Sequence, residues 1–176
     1  MTQMVADSSS LILLAKCSLL EIVCSLFDVI VPTAAAAEVA SDALVQKYPD
    51  AALISNLITK RAITVQSPHS REIPLQLSLH PGEKEALAIA LNLVKPLFAT
   101  DDGKAIKAAR FLKIPFVITP KIVVELFRLQ EISFKKARNC LEKIGKIGRY
   151  SPEIIADALI SLMEGKDGKT DNHKGT

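Results

Sequence analysis

The chain has 176 residues, 22 Lys+Arg against 19 Asp+Glu, three Cys, no Trp and a 49% hydrophobic fraction. That length suits one domain, or one domain with a helical extension, and buries a core without staples. The apolar content excludes a disordered chain, and the longest charge-free stretch, Ile73–Gly82, is far too short to span a membrane.

Strand-like and helix-like segments alternate along the chain. Gln3–Ala6 is a short apolar strand, and Asp7 after it interrupts any signal-like run, so a cytoplasmic protein is expected. Ser8–Ser10 are expected to cap a helix starting near Leu11. A second helix over Leu19–Phe27 leads into the β-branched strand Val29–Val31, stopped by Pro32. Thr33 is expected to cap a long Ala-rich helix reaching about Lys47, with Pro49 beyond it. A helix over Asp50–Thr59 and a strand over Ala62–Gln66 follow, and Ser67–Ser78, with Pro68 and Pro74, reads as a loop.

The clearest helix start is His80-Pro81-Gly82-Glu83, where Pro occupies the first turn, acids follow and Ala86–Val94 is apolar throughout. Pro96–Thr100 is the next strand, Asp101–Leu112 a helix and Phe116–Thr119 a further strand. The alternation predicts a parallel sheet covered on both faces. After Pro120 the pattern becomes helical: Lys121–Leu129, Ser133–Ile144 and a last helix from Ser151-Pro152-Glu153 to about Met163. The expected organisation is an α/β domain over residues 1–120, a helical extension over 121–163 packed on that domain, and a disordered Gly- and charge-rich tail over 164–176.

The net charge of +3 hides an asymmetry, because residues 1–100 carry 7 basic and 9 acidic side chains and residues 101–176 carry 15 and 10. Within Gln130–Tyr150, Lys135, Lys136, Arg138, Lys143, Lys146 and Arg149 face only Glu131 and Glu142. Such a run is either the solvated face of an ordinary helix or the footprint of a polyanion.

Ligands of parallel α/β sheets gather at the carboxyl ends of the strands. Asp7 ends the first strand, Asp101 and Asp102 end the fourth, Glu38 lies in the helix after the second, and Glu83 and Glu85 occupy the first turn after Pro81. Each has a plain structural reading as a cap, a helix-dipole partner or a solvated residue. Together they are strained, because clustered carboxylates raise one another's pKa unless a cation neutralises them. An oxygen-only set without His or Cys suits Mg²⁺ or Mn²⁺, and such ions support phosphodiester hydrolysis.

Four segments in this order resemble the PIN-domain ribonucleases: Val5-Ala6-Asp7-Ser8-Ser9, Val31-Pro32 with Glu38-Val39, His80-Pro81-Gly82-Glu83-Lys84-Glu85-Ala86, and Ala99-Thr100-Asp101-Asp102-Gly103 with Arg110. The wording is similar to a prokaryotic subgroup with Gly-Glu-x-Glu-Ala and Thr-Asp-Asp signatures, and the resemblance covers roughly residues 3–160. It implies a three-layer α/β/α sandwich with a central parallel sheet, a helical C-terminal appendage, and an acidic pocket that binds Mg²⁺ or Mn²⁺ and cleaves RNA. The family's first Asp matches Asp7 and its helix Glu matches Glu38. The third acid matches Glu85 first and Glu83 second, with a Glu in place of the usual Asp; the fourth matches Asp101 or Asp102, which the sequence does not separate. The resemblance also implies a VapC-type toxin with an antitoxin partner and a homodimer, although the appendage is longer than in compact toxins.

Other candidates are weaker. Ser8–Ser10 lack a nucleophile elbow or a His partner, and Ser8, Ser9 and Thr100 are expected beside a bound phosphate. His69 and His80 suit solvated or capping roles, and Cys17, Cys24 and Cys140 suit small core positions, forming neither a disulfide framework nor a zinc site. Gly82 and Gly103 form no phosphate cradle. Lys104, Lys107 and Arg110 would hold RNA phosphate, or Arg110 would pair with an acid of the pocket. The expected activity is a metal-dependent ribonuclease that needs no membrane. The competing reading is a PIN-fold binding module without turnover, and a flavodoxin-like or receiver domain is disfavoured by the position of Glu38 inside a helix.

Overall fold

The computed structural model describes residues 1–68 and 78–170, the side chains of 166–170 excepted, so His69, Pro74 and most of the expected loop lie outside the described residues. The chain divides into two compact units, Met1–Ile118 and Thr119–Thr176. The first alternates β1 (Thr2–Ala6), α1 (Ser8–Lys16), α2 (Leu20–Leu26), β2 (Phe27–Pro32), α3 (Thr33–Val39), α4 (Asp42–Val45), α5 (Pro49–Thr59), β3 (Ile63–Gln66), α6 (Pro81–Asn92), β4 (Leu97–Ala99), α7 (Gly103–Phe111) and β5 (Phe116–Val117).

The five strands form one all-parallel sheet in the order β3-β2-β1-β4-β5. Right-handed crossovers then carry α1, α2 and α5 on one face of the sheet and α6 and α7 on the other. The expected α/β/α sandwich is the fold of this unit. Register lines up Ile30, Val5, Phe98 and Phe116 across the sheet, and the first three are buried against Ala86, Leu87, Ile89 and Ala90 of α6 and Ala105, Ala108 and Ala109 of α7. The alanines let both helices lie close on the sheet. Met4 and Val29 alternate to the opposite face and are equally buried.

Several expected boundaries move, each for a local reason. The first helix starts at Ser8 rather than Leu11, because the Asp7 carboxylate, not a serine hydroxyl, accepts from Ser10 N at 3.0 Å. The long Ala-rich helix breaks after Val39, where Ser41 turns extended (φ −65°, ψ 152°) to start α4. Ser and Asp favour such capping conformations over helix interiors. Thr33 is the first helical residue of α3 rather than its cap.

Residues other than Gly occupy the left-handed position after several helices: Ser18, Arg61, Lys113 and Gln130, with φ between 54° and 66°. Each is followed by a six-residue closing bond, such as Ile114 N to Ala109 O at 2.9 Å. A Cβ in this conformation is costly, so Lys113→Gly is expected to raise stability by about 1 kcal/mol, read as a higher urea midpoint at unchanged slope.

The second unit consists of α8 (Thr119–Arg128), α9 (Phe134–Ile147) and α10 (Pro152–Thr170). Ser133 caps α9 by accepting from Lys136 N at 3.2 Å, and Ala137, Cys140, Leu141 and Ile144 form its buried stripe. The last helix does not stop near Met163. It continues to Thr170, and Gly165 lies against Phe127 of α8. Residues 171–176 of the expected tail lie outside the described residues. Among the described residues, no single helix is long and apolar enough to cross a membrane.

Candidate active site

The sheet reverses its winding direction between β1 and β4, so a crevice opens at the carboxyl ends of these two strands. Asp7 stands at that point. Its backbone N–H extends the pairing by donating to Ala99 O at 3.1 Å, and the residue is only 2% exposed.

Two hydroxyls hold this buried carboxylate in parallel relays. Asp101 N donates to Ser9 Oγ at 2.9 Å, and Ser9 Oγ donates to Asp7 Oδ1 at 2.7 Å. Asp102 N donates to Thr100 Oγ1 at 3.2 Å, and Thr100 Oγ1 donates to Asp7 Oδ2. Successive amides after β4 are thereby wired to the two oxygens of one carboxylate. Burial still pushes the Asp7 pKa above the usual carboxylate range, and the bonds from Ser9, Thr100 and Ser10 oppose that shift.

Asp102 caps α7, its Oδ1 accepting from Lys104 N at 2.7 Å and Ala105 N at 3.0 Å. Glu83, in the first turn of α6, accepts from His80 N at 2.9 Å and is 9% exposed. Its pKa is also raised, mainly by burial and further by the negative charges of Asp102 and Asp7. Glu83 thus lies close enough to Asp102 and Asp7 for their charges to reach it.

The other candidate residues are placed as follows. Glu38 is exposed and accepts from Ser8 Oγ at 2.6 Å, which ties α3 to the start of α1 beside Asp7. Glu85 accepts from Ala34 N at 2.8 Å, so a carboxylate from α6 serves the N-terminus of α3 that Thr33 was expected to cap. The two helices approach closely at Gly82, where a Cβ would meet Ala35 Cβ at 3.3 Å. Asp101 is half-buried, and its amide, as above, anchors Ser9. Lys104, Lys107 and Arg110 are exposed on α7, and the Arg110 guanidinium lies over the Phe116 ring at 5.4 Å instead of pairing with an acid.

Ser9 and Thr100, expected beside a phosphate, spend their hydroxyl protons on Asp7. Sequence reasoning missed Ser10, fully buried, whose hydroxyl donates to Ala99 O at 2.9 Å and whose amide donates to Asp7. The signal was present in the Asp-Ser-Ser-Ser run, which places a good cap three residues before Ser10.

The donor chemistry fits a hard divalent cation, being all oxygen and mutually repulsive. Among the described residues, no three His, Cys, Asp or Glu side chains already stand grouped as a ligand set, and both Asp7 oxygens are engaged by hydroxyl and amide donors.

A doubly wound α/β sandwich with acids near its switch point defines the class: a parallel-sheet α/β protein, in which ligands gather at the carboxyl ends of the strands. A PIN domain family model matches residues 3–164, and the chain belongs to the PIN-domain family. PIN domains are generally nucleases. No curated protein matches the chain significantly.

Proposed function

We propose that this protein is a Mg²⁺- or Mn²⁺-dependent ribonuclease. The observation that carries the reading is the buried Asp7 carboxylate at the carboxyl ends of β1 and β4, joined through Ser9 and Thr100 to the amides of Asp101 and Asp102, in a PIN-domain chain. Asp7, Glu83 and Asp102 would hold the cation, with Glu83 rather than Glu85 as the third acid because the charges of Asp102 and Asp7 reach Glu83; each Glu also accepts from one backbone amide, Glu83 from His80 N and Glu85 from Ala34 N. A divalent ion bound there supplies Lewis-acid stabilisation of charge on the scissile phosphodiester. Asp7 is held in place by its hydroxyl and amide donors, Glu38 at the rim orients the attacking water, and Lys104 and Lys107 receive phosphate oxygens. A toxin role with an antitoxin partner, and a homodimeric state, belong to the same reading and rest on family resemblance.

The test combines two measurements. RNA incubated with the protein and millimolar Mn²⁺ is expected to be cut, with EDTA stopping the reaction. The melting temperature is expected to rise with Mn²⁺, by the equivalent of about 2.7 kcal/mol at one hundred times Kd. Glu83→Gln should lose that rise and Glu85→Gln should keep it. The absence of a ready-made ligand trio favours a second reading, a PIN-fold binding module without turnover. A flat Mn²⁺ titration together with intact RNA would select it.

A further inference from the structure

We propose that α9 carries a second RNA-contacting surface, a lysine stripe that grips the phosphate backbone without reading bases. The inference rests on the ribonuclease reading for the identity of its polyanion. Its evidence lies entirely within the second unit. The buried stripe of α9, Ala137, Cys140, Leu141 and Ile144, leaves Lys135, Asn139, Lys143 and Lys146 together on the opposite side of the helix. From Lys135 to Lys146 the stripe runs about 16 Å at 1.5 Å per residue. That length matches roughly five stacked nucleotides at 3.4 Å per step.

Three features distinguish this face from an ordinary solvated one. First, Glu142 is engaged by Arg138 at 2.8 Å, and Lys135 and Lys146 pair with no carboxylate among the described residues. Second, the first turn of α9 holds Lys135 and Lys136 and no acid. Cations there oppose the helix dipole, so local helix stability does not explain them. Third, the stripe contains no aromatic side chain, which removes base stacking and leaves phosphate charge as its target. Arg149, exposed just past the helix end, extends the same charge.

The probe is a fluorescein-labelled oligouridylate or oligoadenylate, bound to the full chain in EDTA and followed by anisotropy from low to moderate salt. Lys135→Gln/Lys143→Gln/Lys146→Gln is expected to weaken binding at least about tenfold at low salt and to flatten the salt slope by about 2, at 0.7 per lost contact. Both oligonucleotides should respond alike. A charge-matched control, Lys60→Gln/Lys95→Gln/Lys113→Gln, removes exposed lysines of the first unit and should leave the slope within about 0.7 of the parent. Equal losses in the two triple variants, or a parent that binds neither oligonucleotide, would overturn the proposal. So would a stripe variant that binds RNA normally but loses affinity for polyglutamate, which would reassign the face to an acidic protein. Cleavage with Mn²⁺ is scored separately. RNA cutting with an unaffected stripe variant sinks only the stripe, and stripe-dependent binding without cutting sinks only the nuclease.

Discussion

Asp7→Asn is expected to lose RNA cleavage by at least about 100-fold, the upper end of what removing a mere supporting residue costs a metal site, while the protein folds and melts higher than the parent near neutral pH. The two effects have one origin. Asn caps a helix about as well as Asp, so α1 keeps its start, but the amide removes the negative charge on which the acid site depends. Burial raises the Asp7 pKa in the fold. A group with a raised folded pKa contributes most when protonated, below its unfolded value, and that contribution fades as pH rises through the folded value. The buried carboxyl therefore contributes less stability toward neutral pH than in acid, a loss that Asn does not share, so the gain from Asn should shrink as pH falls toward the ordinary carboxylate range. Glu83, raised in the same direction, adds to this trend. Melting curves of parent and variant between pH 4 and 8, beside a cleavage assay, check both halves. Undiminished cleavage by the variant would remove Asp7 from the mechanism.

Thr100→Val is the second large effect, expected to cost about 2–4 kcal/mol through two stranded polar groups. Thr100 is fully buried, donates to Asp7 Oδ2 and accepts from Asp102 N at 3.2 Å. Valine has the same shape and can do neither. Thr100→Ser keeps both bonds and gives up one methyl, at about 1 kcal/mol. Urea midpoints at constant slope separate the two variants, and a Val variant no weaker than Ser would mean the relay carries no energy. Activity should follow the same order, with Val down about 10–100-fold and Ser close to parent, as befits a residue acting through Asp7. In an Asp7→Asn background the Val penalty should shrink, because the partners are in contact and their effects do not add.

The elements were legible wherever side-chain pattern and local chemistry agree. β1, β2 and β4 are β-branched or apolar runs ended by Asp or Pro, and α6 announces itself through Pro81 and Glu83. The boundaries that moved depend on which side chain serves as a cap: Asp7 starts α1 three residues early, and the break at Ser41 interrupts a run of strong Ala propensity.

By itself the sequence determined the alternation of strands and helices, the positions of the acids at strand ends, and hence an α/β protein with a carboxylate-rich edge. Those are properties of neighbouring residues along the chain. Where each acid stands relative to the others was decided by tertiary structure alone. The strand order puts Asp7 and Asp102 on either side of the switch point, and the close approach at Gly82 directs Glu85 to the amide of Ala34 while Glu83 feels both aspartates. The reason is physical: electrostatic interaction and burial depend on distances between residues up to 95 positions apart, from Asp7 to Asp102, and no local pattern encodes those distances.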